Sequence, residues 1–190
     1  MELQHVNIKI FAENPQAVEQ ELFTPIFHSW IQEQAAPETL LLDVADYLHV
    51  PQGPGIVLIG NEADYSMDDS GGRLGLRYNR KLALGGNNGQ RFAQALKAAL
   101  WACLKLEKDP RMAGKLKFKK DELELFVNDR ALAPNLPETQ AACSGEIQSF
   151  FEKIFPEGFQ AAYPKDPRER FGVLLSSAKP FDFEAALQKL

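Results

Sequence analysis

The chain has 190 residues, a formal charge of −5, 45% hydrophobic residues and 25% charged residues. A chain of this length buries roughly 70% of its unfolded surface on folding, so it needs neither disulfides nor a structural metal. The composition excludes a disordered, collagen-like or coiled-coil chain, and the acidic balance argues against a general nucleic-acid binder while leaving room for a local basic site.

Cys103 and Cys143 sit among small and apolar residues, form no metal-spaced pair and imply no disulfide framework. The first residues lack the basic start and apolar block of a secretion signal, and no apolar run approaches a bilayer span. The expectation is a soluble, cytoplasmic protein without membrane contact.

Val6, Ile8 and Ile10 alternate with Asn7, Lys9 and Phe11, which predicts a first strand. Asn14-Pro15 starts a helix whose apolar face runs from Val18 through Ile31 and ends at Glu33, with Pro25 kinking or restarting it. Leu40 to Val50 and Ile56 to Gly60 read as strands joined by Gln52-Gly53-Pro54-Gly55. Further strands over Ala63 to Met67 and Arg73 to Arg80 flank a turn at Asp69 to Gly72. After the loop Gly85 to Gly89, apolar residues from Phe92 to Leu106 mark a long helix ending at Asp109-Pro110.

Leu116 and Phe118, then Leu123, Leu125 and Val127, predict a hairpin turning at Lys120-Asp121. A helix carrying Ala142, Ile147, Phe150, Phe151 and Ile154 follows, then strands over Phe159 to Tyr163 and Phe171 to Ser176, and a last helix capped by Asp182. The predicted class is α+β, with mainly antiparallel strands, helices packed on one face and the order β-α-β-β-β-β-α-β-β-α-β-β-α. Residues 1–190 are read as one domain, with a weak break near 107–115 that would allow two lobes. A helix followed by two strands recurs near Gln16, Gln90 and Glu138, in element order and not in residues.

Two polar constellations stand out. Asp43, Tyr47 and His49 share one face of a regular strand, and the simplest hairpin register sets Asp43 opposite Glu62 and His49 opposite Ile56. Two carboxylates, a phenol and an imidazole together suit a metal-dependent or acid/base hydrolase or lyase, although no established metal spacing is present. A solvated sheet face accounts for the same pattern. His5 and His28 read as surface residues, and Cys103 as core.

The second constellation is a charge reversal, with Glu62, Asp64, Asp68 and Asp69 before the turn and Arg73, Arg77, Arg80 and Lys81 after it. Cross-strand ion pairs explain it structurally. Functionally, Arg73 and Arg77 share a face with Gly75 and Asn79, and Gly86 and Gly89 lead into a helix start carrying Arg91. Arg73, Arg77, Arg80, Gly86, Gly89 and Arg91 could therefore cradle a phosphate or carboxylate. The glycine spacing matches neither a P-loop nor a dinucleotide fingerprint.

Lys115, Lys117 and Lys119 alternate with Leu116 and Phe118, as in a protected edge strand, with the aromatics on the wrong face for nucleic acid. The expected function is thus a binding or accessory protein for an anionic small molecule or an acidic protein surface, with the hydrolase or lyase as alternative. Whether the chain is an enzyme stays open, as do any cofactor and self-association into a homo-oligomer.

Overall fold

The first apolar alternation becomes strand β1 (Val6–Ala12), and every residue in it is buried, on both faces of the sheet. The computed structural model describes residues 1–190. After β1 come two single 3-10 turns and α1 (Phe23–Glu33), then β2 (Leu41–Asp46), β3 (Ile56–Gly60), β4 (Ala63–Asp68) and β5 (Gly75–Arg80). The second half comprises α2 (Asn88–Glu107), β6 (Phe118–Val127), α3 (Pro137–Phe151), β7 (Gln160–Ala162), β8 (Gly172–Ser176) and α4 (Phe183–Lys189). All strands join one antiparallel sheet in the order β2-β3-β4-β5-β1-β6-β8-β7.

The α+β class and the single helix-covered face are as the sequence predicts. Period-2 alternation turns Ile8, Ile10, Leu76, Tyr78, Leu123 and Leu125 toward the helices, where all are fully buried. The long helix α2 lies across β1 and β5, α1 covers β2 and β3, and α3 and α4 pack beside α2. Trp30 of α1 anchors its helix by meeting Tyr65 edge-on at 6.5 Å and Trp101 of α2 at 5.1 Å. Burying each such side chain contributes about 1.5–3 kcal/mol. No helix is long and apolar enough to cross a membrane.

Four expectations change. The first helix begins only at Phe23, because Pro25 sits in its first turn, where its missing N–H would be unpaired anyway. Residues 116–127 do not form a hairpin: β6 is one strand, and its register against β1 shifts between Ile10 and Ala12, across the stretch where the turn was expected. The second helix is therefore followed by one strand, and the recurring helix-strand-strand unit is not repeated. Finally, β6 lies inside the sheet between β1 and β8, so the edges are β2 and β7.

The β2-β3 connection also departs from the simplest turn. Asp46, not His49, lies opposite Ile56, and Asp43 lies opposite Ile59 after an irregularity near Leu41. Gly55 ends this connection at φ +64°, and a Cβ there would lie 1.9 Å from the Met67 carbonyl oxygen. No side chain fits such a backbone contact, so Gly55→Ala is expected to lower stability by about 2 kcal/mol or more, read by urea denaturation. A wild-type midpoint would show that this connection yields without cost.

Candidate functional site

The alternation that buries Ile8 and Ile10 under the helices sends Asn7, Lys9 and Phe11 to the other face. There the register sets Lys9 between Arg77 of β5 and Glu124 of β6, its Cα partners on either side. Asn7 lies likewise between Asn79 and Phe126, and Ser66 of β4 lies beyond Arg77. No helix covers these residues. Instead Arg130 and the segment from Pro164 to Arg170 form one wall, and Ser70 and Gly71 another, around a cleft of about 370 Å³. Asn135 ties the first wall down by donating to the carbonyl oxygens of Pro164 at 3.1 Å and Asp166 at 2.8 Å, and Pro134 pairs with Arg170 through a β-bridge.

The floor of the cleft is ionic and nearly dry. Lys9 Nζ donates to Asp68 Oδ1 at 2.6 Å and to the Ser70 carbonyl at 3.2 Å, with 3% and 1% of the Lys9 and Asp68 side chains exposed. Asp68 also accepts from Arg77 at 3.3 Å and from the Ser70 amide and hydroxyl. Burial alone would raise the Asp68 carboxyl, but the Lys9 ammonium and its hydrogen bond, with Arg77 and Ser70, outweigh this and hold it below the ordinary carboxylate range. Glu124 has no such donors. Burial lifts its carboxyl above the ordinary value, against the pull of Lys9, Arg170 and Arg77 and with the push of Asp68.

Phe126 organises the cations. The guanidinium of Arg77 lies 4.9 Å from the centre of its ring and that of Arg170 lies 4.4 Å from it, both in cation-π range. Burial, and then the charge of Arg77, push the Arg170 guanidinium below its ordinary value. Arg77 Nε is buried without a hydrogen-bond partner, as are the Oδ1 atoms of Asn7 and Asn79 on the same face. Of these three residues, only Arg77 lines the cleft.

The two constellations read from the sequence land elsewhere in part. Arg77 lines this cleft, but Arg73 lies over the Phe11 ring at 3.6 Å and pairs with Glu122 at 2.5 Å. Arg80 and Arg91 lie on the helix side of the sheet, so no cradle joins Arg77 to Arg91. Arg80 Nε donates to the Leu82 carbonyl. Arg91 is 4% exposed and donates to the carbonyls of Leu84 and Gly86, to Asn88 Oδ1 and to Glu2 Oε1, which makes it a clamp on the N-terminal segment.

The glycine loop serves the helix that follows. Gly86 takes φ +87°, and Asn87 and Gln90 cap each other's backbone amides in a reciprocal box at 2.9 Å, with Gly89 in the first turn. Of the charge reversal, Asp64 pairs with Lys81 at 2.8 Å and Asp68 with Arg77, the cross-strand pattern that the structural explanation requires.

Asp43, Tyr47, His49 and Glu62 are not assembled. The hairpin register removes Asp43 from Glu62, and Asp43 caps the Val44 amide at 2.8 Å instead. Glu62 accepts from Asn61, from the Thr39 hydroxyl and from the Leu40 amide, and the Asn61 and Thr39 bonds, opposed by slight burial, bring its carboxyl to about 2. Tyr47 and His49 are exposed neighbours with ring centres 6.3 Å apart. No group of three or more His, Cys, Asp or Glu is arranged to hold a metal ion. Cys103 is fully buried, and burial drives its thiol well above its ordinary value.

Sequence reasoning passed over Lys9, Glu124, Phe126, Arg130 and Arg170 as sites. Its available signal was the charge within otherwise apolar alternation at Lys9 and Glu124, which reads identically for a solvated face. Neither protein-family models nor curated proteins give a match to this chain.

Two expectations follow from the ionic floor. Lys9→Met strands a buried carboxylate and should cost about 3–5 kcal/mol in urea unfolding, whereas Lys9→Met with Asp68→Leu should recover at least about 1 kcal/mol of that loss. Strict additivity would show that the pair is not coupled. Because Asp68 titrates below its unfolded value, its contribution is present above about pH 4 and is lost as pH falls through its native range. Glu124 has the opposite sign, so its ionisation lowers stability as pH rises above its unfolded value, and Glu124→Gln should flatten that decline.

Proposed function

We propose that this protein binds a small anionic molecule, whose carboxylate or phosphate group docks against Arg77 and Arg170 in the cleft above Lys9. One observation carries the reading: two partly buried guanidinium groups share one aromatic ring, and neither has its donors filled by the protein. Arg77 donates one hydrogen bond, at 3.3 Å to Asp68, and its Nε is orphaned, while the Arg170 side chain makes no hydrogen bond within the chain. A planar guanidinium offers five donors in a fork that matches carboxylate and phosphate oxygens.

Charge and size support the same reading. Lys9, Arg77, Arg130, Arg168 and Arg170 line the cleft against Asp68, Glu124 and Glu169, and Asp166 pairs with Arg168, so a small cationic excess remains there in a chain whose formal charge is −5. A cleft of about 370 Å³ falls in the range of small-molecule sites, and its buried floor lies out of reach of a flat protein surface.

Isothermal titration with inorganic phosphate, acetate and succinate tests this. The wild type should bind at least one of them saturably, Arg77→Ala and Arg170→Ala should each weaken binding about tenfold or more, and Lys108→Ala, which removes an exposed cation paired with Glu184, should leave it unchanged. Absence of saturable binding, or equal losses in all three variants, would contradict the proposal.

A further inference from the structure

The anion-binding reading leaves one group in the cleft without a task. Glu124 lies opposite Lys9 across the β1-β6 ladder and lines the cleft, but Lys9 directs its hydrogen bonds elsewhere, to Asp68 and Ser70. The two acidic side chains of the floor are therefore different in kind. Asp68 is filled by Lys9, Arg77 and two donors of Ser70, whereas no protein donor reaches Glu124. An ionised carboxylate is an acceptor only, and partial burial makes the lack of a donor costly.

Glu124 is also unhelpful to a simple anion, since it places a negative charge beside the ligand that Arg77 and Arg170 would attract. A cleft built for phosphate alone would gain by an amide or an apolar residue here. The arrangement instead offers donors on one side, at Arg77 and Arg170 over Phe126, and a bare acceptor on the strand next to Lys9.

Resting on the anion-binding reading and narrowing it, we infer that the ligand is zwitterionic: a small molecule with a carboxylate or phosphate held by Arg77 and Arg170, and an amine that donates to Glu124. Such a ligand satisfies both halves of the cleft at once. A monofunctional anion leaves Glu124 unpaired in a drier site than before, and that penalty supplies the discrimination.

Matched pairs that differ only by the amine test the inference by isothermal titration: β-alanine against propionate, and 2-aminoethyl phosphate against ethyl phosphate. In the wild type, the amine-bearing member of at least one pair should bind about tenfold tighter or better. Glu124→Gln keeps the shape and removes the charge. It should bring the ratio within a pair close to unity while the monofunctional anion binds as well as before or better.

Equal affinities within both pairs in the wild type, or a preference for the amine that survives Glu124→Gln, would overturn the inference. Saturable binding of inorganic phosphate or of the monofunctional members, without amine preference, would remove the zwitterion and leave the anion site standing. If nothing binds, and phosphate also fails, both readings fall. A purely structural Glu124 would change the urea midpoint on substitution and leave the ratio untouched.

Discussion

The open face of the sheet depends on where the ammonium of Lys9 goes. It stands in the middle of a strand buried on both faces, where an unpaired charge would cost several kcal/mol, and Asp68 and the Ser70 carbonyl receive it. Asp68 comes from β4, two strands away, with β5 between them. The ion pair thereby fixes the relative positions of β1, β4 and the turn after β4. It also consumes the acceptor that would otherwise satisfy Arg77, since Asp68 divides its oxygens among Lys9, Ser70 and a long contact to Arg77. The partly free guanidinium in the cleft is a consequence of how Lys9 is held.

The two faces of one sheet are thus specialised by the same period of two. Toward the helices, apolar side chains from β1, β5 and β6 form part of a continuous core with the aromatic cluster of Trp30, Tyr65, Tyr78 and Trp101. On the other side, loops cover the polar residues only in part. Partial cover is the chemically useful condition, because charges there are dehydrated enough to interact strongly and open enough to be reached. Asn135 and the Pro134 bridge hold the covering loop, so Arg170 is presented from a fixed wall.

The fold was legible wherever local pattern decides it. Alternation at Val6 to Ile10 and helical spacing at Phe92 to Leu106 predict β1 and α2, because a strand or helix with one apolar face has few other ways to bury it. What escaped depended on pairing at a distance. Lys120-Asp121 reads as a turn, but the chain accommodates it as an irregularity inside β6, where the pairing with β1 is interrupted and the carbonyls of Lys120 and Asp121 accept from the amides of Phe181 and Ser177. The β2-β3 register follows from the long connection at 47–55, whose length a Gly-Pro-Gly sequence does not specify, and with it went the Asp43-Glu62 pairing. Arg77 was visible as a charge on an alternating strand. Its neighbours were not, because Lys9 and Glu124 join it only through two cross-strand registers and Arg170 through a covering loop. Arg91 shows the converse: a helix-start arginine after a glycine loop resembles an anion site, yet its donors are spent on the protein's own carbonyls and on Glu2.

Nitrogen-detected NMR of the arginine side chains reads the central claim directly, because it distinguishes guanidinium groups that are free to meet a ligand from those already satisfied. On titration with 2-aminoethyl phosphate, the Nε–H signals of Arg77 and Arg170 should shift saturably and together, with one apparent Kd, while that of Arg91, which donates to Leu84, stays fixed. Uniform small shifts across all the arginines, or none at Arg77 and Arg170, would mean that the ionic face above Lys9 serves folding alone.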